Sequence, residues 1–112
     1  MPTRISRDAL RNLMATGHPT LVEALGSGFY SDAHLPGAVN IPPRQVDTLA
    51  AALLPDRDAD IVVYCTATCA SSDAVARRLE ELGYHAVTVY IGGKEDWVEH
   101  GLPVERPIVG PG

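Results

Sequence analysis

The chain has 112 residues, which at roughly 100–200 residues per domain is one domain. Apolar residues make up 46% and charged residues 21%, a globular balance that excludes an intrinsically disordered chain. Nine Lys+Arg against fourteen Asp+Glu give a net charge of −5, which disfavours nucleic acid or an anionic membrane as the main partner.

Thr3 to Ile5 reads as a short edge strand. Ser6 is the expected N-cap of a helix whose inner face carries Ala9, Leu10, Leu13 and Met14. Gly17 is expected to stop it in a positive-φ conformation. Residues 20–25, TLVEAL, read as a strand, and 26–37 as a loop with one helical turn. Residues 38–41 form a short strand closed by Pro42-Pro43. Arg44 to Leu54 is helical, with Val46, Leu49, Ala50 and Leu53 as its buried stripe. After a turn at 55–58 comes DIVVYC, residues 60–65. A continuous β-branched apolar run of this kind is a strand buried on both faces. Residues 65–72 are small and polar. A helix over 73–82 buries Val75, Leu79 and Leu82 and stops at Gly83. Residues 85–90 alternate as a strand, and Gly92-Gly93 turns the chain into a last helix over 94–100. Residues 106–112 are expected to be a flexible tail behind a domain spanning 1–105.

The order β-α-β-α-β predicts an α/β domain, with a mainly parallel sheet and helices on both faces. The longest apolar runs, at 49–54 and 61–65, are far short of the ~20 residues of a membrane helix. Residues 1–13 contain no apolar signal-peptide core, so a cytoplasmic protein with reduced thiols is expected.

In open parallel sheets, function sits at the carboxyl ends of strands, and Cys65 lies there. A strand, a cysteine, a short run of small residues and a helix can together cradle an anion. The amides of Thr66, Ala67, Thr68, Cys69, Ala70 and Ser71 can converge on one point, and the helix adds its positive end. A sulfur at that focus would be held as thiolate, the nucleophilic form. The bland alternative is a buried small residue ending a core strand. Ser71 or Ser72 is expected to cap the helix. The two cysteines, separated by three residues, make neither a disulfide framework nor a zinc site, and no metal is expected.

Four blocks add a resemblance. TLVEAL (20–25), AHLPGAVNIP (33–42), IVVYC with its loop (61–71) and VYIGGKEDWVEHGLPVE (89–105) resemble the single-domain rhodaneses, in that family's order. The resemblance implies a five-stranded parallel sheet and a persulfide carried on Cys65. It implies no cofactor. Glu23 stands in the block where rhodaneses commonly show Asp-Val-Arg, and the arginine is missing. The loop carries no basic residue between Cys65 and Ser72, and it has a second cysteine. Phosphatases that share this fold need an arginine at the position of Ser71, so phosphate-ester hydrolysis is not expected.

The expected function is a sulfurtransferase. Its donor is thiosulfate or a persulfide. Its acceptor is a thiol, cyanide or a partner protein's cysteine. The alternatives are a non-catalytic binding or sulfur-delivery module and a thiol redox switch. Cys69 is read as a packing residue, a resolving thiol or a second sulfur carrier. His34 is expected to fix the His-Leu-Pro-Gly turn rather than orient a catalytic group. Trp97 is expected to plug the core. Arg77 and Arg78 are expected to pair with Glu80, Glu81 or Asp73. Lys94 and Arg44 are the candidate cations near the site, with a solvated lysine as the plainer reading of Lys94.

Overall fold

The computed structural model describes residues 3–26, 28, 30, 33–66 and 70–105. The loop positions 67–69 and the expected tail at 106–112 lie outside them.

The strands are β1 (Thr3–Ile5), β2 (Thr20–Glu23), β3 (Val39–Asn40), β4 (Asp60–Tyr64) and β5 (Ala86–Tyr90). The helices are α1 (Arg7–Thr16), α2 (Val46–Leu53), α3 (Ser71–Glu81) and α4 (Gly93–Glu99), and a 3-10 turn at Pro43–Gln45 leads into α2. The strands form one sheet in the order β1-β5-β4-β2-β3, and every pair is parallel. The expected α/β architecture holds, with β1 on an edge and β4 in the middle.

The alternation of β4 explains its apolar run. Ile61 and Val63 enter a core with Val22, Val75 and Leu79 on the α2–α3 face. Val62 and Tyr64 enter the opposite core with Leu10, Leu21, Tyr90 and Trp97, on the α1–α4 face. A central strand covered on both faces has no polar side to show.

Four local expectations are corrected. Gly17 has φ −133°, an extended conformation, so the helix stops there without a left-handed residue. Ala9 is exposed, and α1 buries Leu10. Leu53 is 38% exposed while Leu54 is 3% exposed, because α2 ends at Leu53 and the backbone of Leu54 turns its side chain inward. The buried period is therefore Val46, Ala50, Leu54. Neither Ser71 nor Ser72 caps α3: both lie inside the helix, and the N-cap Ala70 makes no side-chain bond. Ser6 caps α1 as expected, accepting a bond from the amide of Ala9 at 3.3 Å. Trp97 is buried as expected, and its indole N–H donates to the Pro103 carbonyl at 2.6 Å.

Arg78 pairs with Asp47 of α2 through two 2.7 Å bonds, and with Glu81. Its guanidinium hydrogen bond holds the Asp47 carboxyl below the ordinary range. Asp73 pairs with Arg4 rather than with Arg77 or Arg78.

At the start of α4, Asp96 accepts from Tyr90 Oη at 2.5 Å and from Arg7 Nη1 at 3.0 Å. The Tyr90 bond, then Arg7, lower the Asp96 pKa. A depressed carboxyl contributes stability above its unfolded pKa of about 3.9 and loses it as pH falls through the folded value. Acid titration should therefore unfold Asp96→Asn with a shallower pH dependence than wild type below about pH 4. Circular dichroism against pH reads this directly, and parallel curves would mean that Asp96 contributes nothing to the acid limb.

Candidate active site

The β2 and β4 carboxyl ends mark the switch point of the sheet. The chain leaves β2 toward β3 on one side and leaves β4 toward β5 on the other. A crevice opens between loops that part in this way, and ligands of open α/β sheets bind there. Glu23 and Tyr64 are register partners at that point. The Ala24 amide donates to the Tyr64 carbonyl at 2.8 Å, extending the pairing by one bond. Cys65 follows directly.

Cys65 is 1% exposed and disulfide-bonded in this structure. Cys69, the other cysteine of the chain, is outside the described residues. Ser72 Oγ lies 3.5 Å from Cys65 Sγ, and Ser72 is buried. The sulfur thus faces α3. Its hydroxyl neighbour was legible in the sequence only as a helix cap, because the contact depends on how the intervening loop folds back.

The backbone of Cys65 is held from the other side. The amide of Lys94 donates to the Cys65 carbonyl at 2.7 Å, and that of Glu95 to the Thr66 carbonyl at 2.7 Å. These amides belong to the first turn of α4, where N–H groups have no partner within the helix. Gly93 makes the approach possible. Its φ is +71°, and a Cβ there would stand 2.6 Å from the Thr66 carbonyl oxygen. Gly93→Ala should therefore cost about 1 kcal/mol for the left-handed backbone and more for the clash, on the order of 2–4 kcal/mol in all. Urea unfolding measures this, and a loss below about 1 kcal/mol would show that α4 can back away from Thr66.

Glu23, Tyr64 and Lys94 form a buried polar cluster. Glu23 is 0% exposed. Its Oε1 accepts from Tyr64 Oη at 2.9 Å and lies 3.0 Å from Lys94 Nζ. Lys94 Nζ also donates to the Ala33 carbonyl at 2.6 Å, and the Leu35 amide donates to Tyr64 Oη at 3.1 Å. Burial, with Glu23 alongside, pushes the Tyr64 phenol far above its ordinary pKa, so it stays a neutral donor. The solvated reading of Lys94 is overturned: its side chain is 10% exposed and paired. The sequence hid this, because nothing local links positions 23 and 94.

The ring of His34 bonds upstream of the His-Leu-Pro-Gly turn it was expected to fix, and the Gly37 amide of that turn is held by Glu105 instead. The His34 ring stacks on Tyr30 at 3.9 Å, and its Nδ1 bonds the Tyr30 carbonyl at 3.0 Å. Its backbone exchanges two bonds with Glu105, whose carboxylate also accepts from the Gly37 amide at 2.7 Å. Burial, then the charges of Glu23 and Glu105, raise the Tyr30 pKa. Arg44 is exposed on the 3-10 turn and makes no ion pair among the described residues. Among those residues no group of His, Cys, Asp and Glu could hold a metal ion, and no helix is long and apolar enough to cross a membrane.

The model of the rhodanese-like domain matches residues 6–100. The HTH-type transcriptional regulator Rv0324 of Mycobacterium tuberculosis is 34% identical over 103 residues, 91% of this chain. The chain spans only 44% of that regulator's length. A sulfurtransferase of Allochromatium vinosum is 28% identical over 108 residues, covering 96% of this chain and 98% of that protein. The human single-domain sulfurtransferase TSTD1 superposes with a TM-score of 0.75 at 25% identity, covering 88% of this chain and 96% of that one.

Proposed function

Because the chain belongs to the rhodanese-like domain family, we propose that it is a sulfurtransferase whose sulfur carrier is Cys65. The observation that carries this reading is the position of Cys65. It ends the central strand at the switch point, with its sulfur against the Ser72 hydroxyl and α3 beginning close behind. The full-length match to the Allochromatium sulfurtransferase supports transfer chemistry of this kind.

In the reduced protein the Cys65 thiolate attacks the outer sulfur of thiosulfate. The sulfur–sulfur bond of the donor breaks, and its electron pair leaves with sulfite. With an alkyl persulfide as donor the leaving group is a thiolate. The α3 start and the Ser72 O–H stabilise the anion on the terminal sulfur; the loop amides at 67–69, expected to share this work, lie outside the described residues. Cyanide, a thiol or a partner protein's cysteine then takes that sulfur and returns Cys65 as thiolate. No cofactor takes part. A disulfide has no thiolate to attack with, so reduction precedes loading. This suits a reducing compartment such as the cytoplasm.

The disulfide on Cys65 favours a second role at the same site, with Cys69 as resolving thiol. The Cys69 thiolate attacks the Cys65 sulfur of the persulfide, a disulfide forms, and hydrosulfide leaves. Persulfide-loaded wild type should then lose its sulfur at least about tenfold faster than Cys69→Ser and end as an intramolecular disulfide. Equal lifetimes, with no disulfide on peptide mapping, would make Cys69 a packing residue. Thiocyanate formation from thiosulfate and cyanide tests the transferase reading in the same samples.

A further inference from the structure

Lys94 is bound to the site by two routes. Its main-chain amide holds the Cys65 carbonyl, while its side chain joins Glu23 at the end of β2 to the Ala33 carbonyl. Stability alone is a poor account of such a cluster. Burying an ion pair tends to cost as much as the attraction returns, and well-packed apolar residues often serve better. Here the second carboxylate oxygen, Glu23 Oε2, is buried with no hydrogen-bond partner among the described residues, which adds to the cost. What the cluster supplies in return is a tie between the segments it joins, through the bonds of Glu23 Oε1 to Tyr64 and Lys94 and of Lys94 Nζ to the Ala33 carbonyl.

The faces of the sheet show which route reaches the sulfur. Val22 and Val63 point to the α2–α3 core, while Leu21 and Tyr64 point to the α1–α4 core. Glu23 bonds Tyr64, so the charge pair stands on the α4 side. Cys65 Sγ meets Ser72 of α3, on the other side. Lys94 therefore stands behind the backbone that carries the sulfur, with its charge matched by a carboxylate 3.0 Å away.

We propose that Lys94 is a positioning residue, which sets the Cys65 turn through the Glu23–Lys94 pair and takes no part in binding the charge of the sulfur donor. The proposal rests on Cys65 being the reactive sulfur. It follows that Lys94 gives a dianionic donor no advantage over an alkyl persulfide of lower charge.

The test reads Cys65 without sulfur transfer. Reduced Cys69→Ser protein is alkylated with iodoacetamide, which is neutral, and with iodoacetate, which is anionic. The same is done with Glu23→Gln/Lys94→Met added, a change that removes both charges and leaves the local net charge at zero. Both rates should fall together by about fivefold or more, with their ratio held within about twofold, because the thiolate is repositioned and no charge is lost at the sulfur. A tenfold drop with iodoacetate alone would show that the Lys94 charge reaches the sulfur and overturn the proposal. Unchanged rates would overturn it too, leaving the pair a part of the core only. Tyr64→Phe deletes one hydroxyl from the cluster and no charge, and it is read the same way should the double variant fail to fold. For it, both rates should fall together by about twofold to threefold. Kinetics with thiosulfate and with cysteine persulfide then test the transferase reading separately. In the double variant kcat should fall for both donors, with the ratio of their KM values unchanged. The expected joint fall in both alkylation rates, with no turnover by the parent protein, would count against the transferase reading alone.

Discussion

Lys94→Met alone should destabilise the protein by about 3–5 kcal/mol. The methionine fills much of the lysine's volume, so packing loss is small. The loss comes from Glu23, which is left as a fully buried carboxylate with Tyr64 Oη as its one remaining donor among the described residues. For a domain of this size, whose whole stability is on the order of 5–15 kcal/mol, that is a large fraction. Adding Glu23→Gln should restore most of it, because the buried charge is gone and the amide can still accept from Tyr64. Urea unfolding of the two single variants and the double variant gives the coupling energy. Additive losses would mean that the pair is not energetically coupled, contrary to its 3.0 Å separation.

Cys65→Ser should reduce sulfur transfer by at least about a thousandfold and leave the fold intact. A hydroxyl at this position is a far weaker nucleophile at neutral pH and cannot carry a sulfane sulfur. Serine occupies slightly less space beside Ser72 and can hydrogen-bond to it, so stability should change by less than about 2 kcal/mol relative to the reduced wild type, which likewise has no disulfide. Thiocyanate formation and near-UV circular dichroism are measured on the same sample. Retained turnover with a native spectrum would move the carrier to Cys69 or remove the transferase reading.

The architecture was open to reading because β4 has to be apolar on both faces. Its four buried residues, Ile61 to Tyr64, therefore announced the centre of a parallel sheet, and Cys65 followed from the strand's end. Ser6 was legible as a cap because capping is a local bond between neighbours. The polar cluster was not legible. Glu23, Tyr64 and Lys94 come from two strands and a helix, and only the register of β2 on β4 makes the first two neighbours. A lysine after a glycine pair reads as a helix start at the surface, and nothing in that segment shows a carboxylate waiting at the end of another strand. Ser72 was misread for a related reason. The α3 helix begins at Ser71, one turn fraction before the expected start, which moves the serine from cap to core and turns its hydroxyl toward sulfur. The end of α2 shifted in the same way, exposing Leu53 and burying Leu54.

The most direct measurement of the central claim is the intact mass of the fully reduced protein, before and after mixing with thiosulfate or cysteine persulfide. The account predicts that Cys69→Ser gains one sulfur atom and keeps it, that wild type gains one and then falls to two hydrogens below its reduced mass as the disulfide forms, that the disulfide form gains none, and that peptide mapping puts the added sulfur on Cys65. Unchanged mass of the reduced protein with both donors, or a sulfur atom mapped to Cys69, would contradict it.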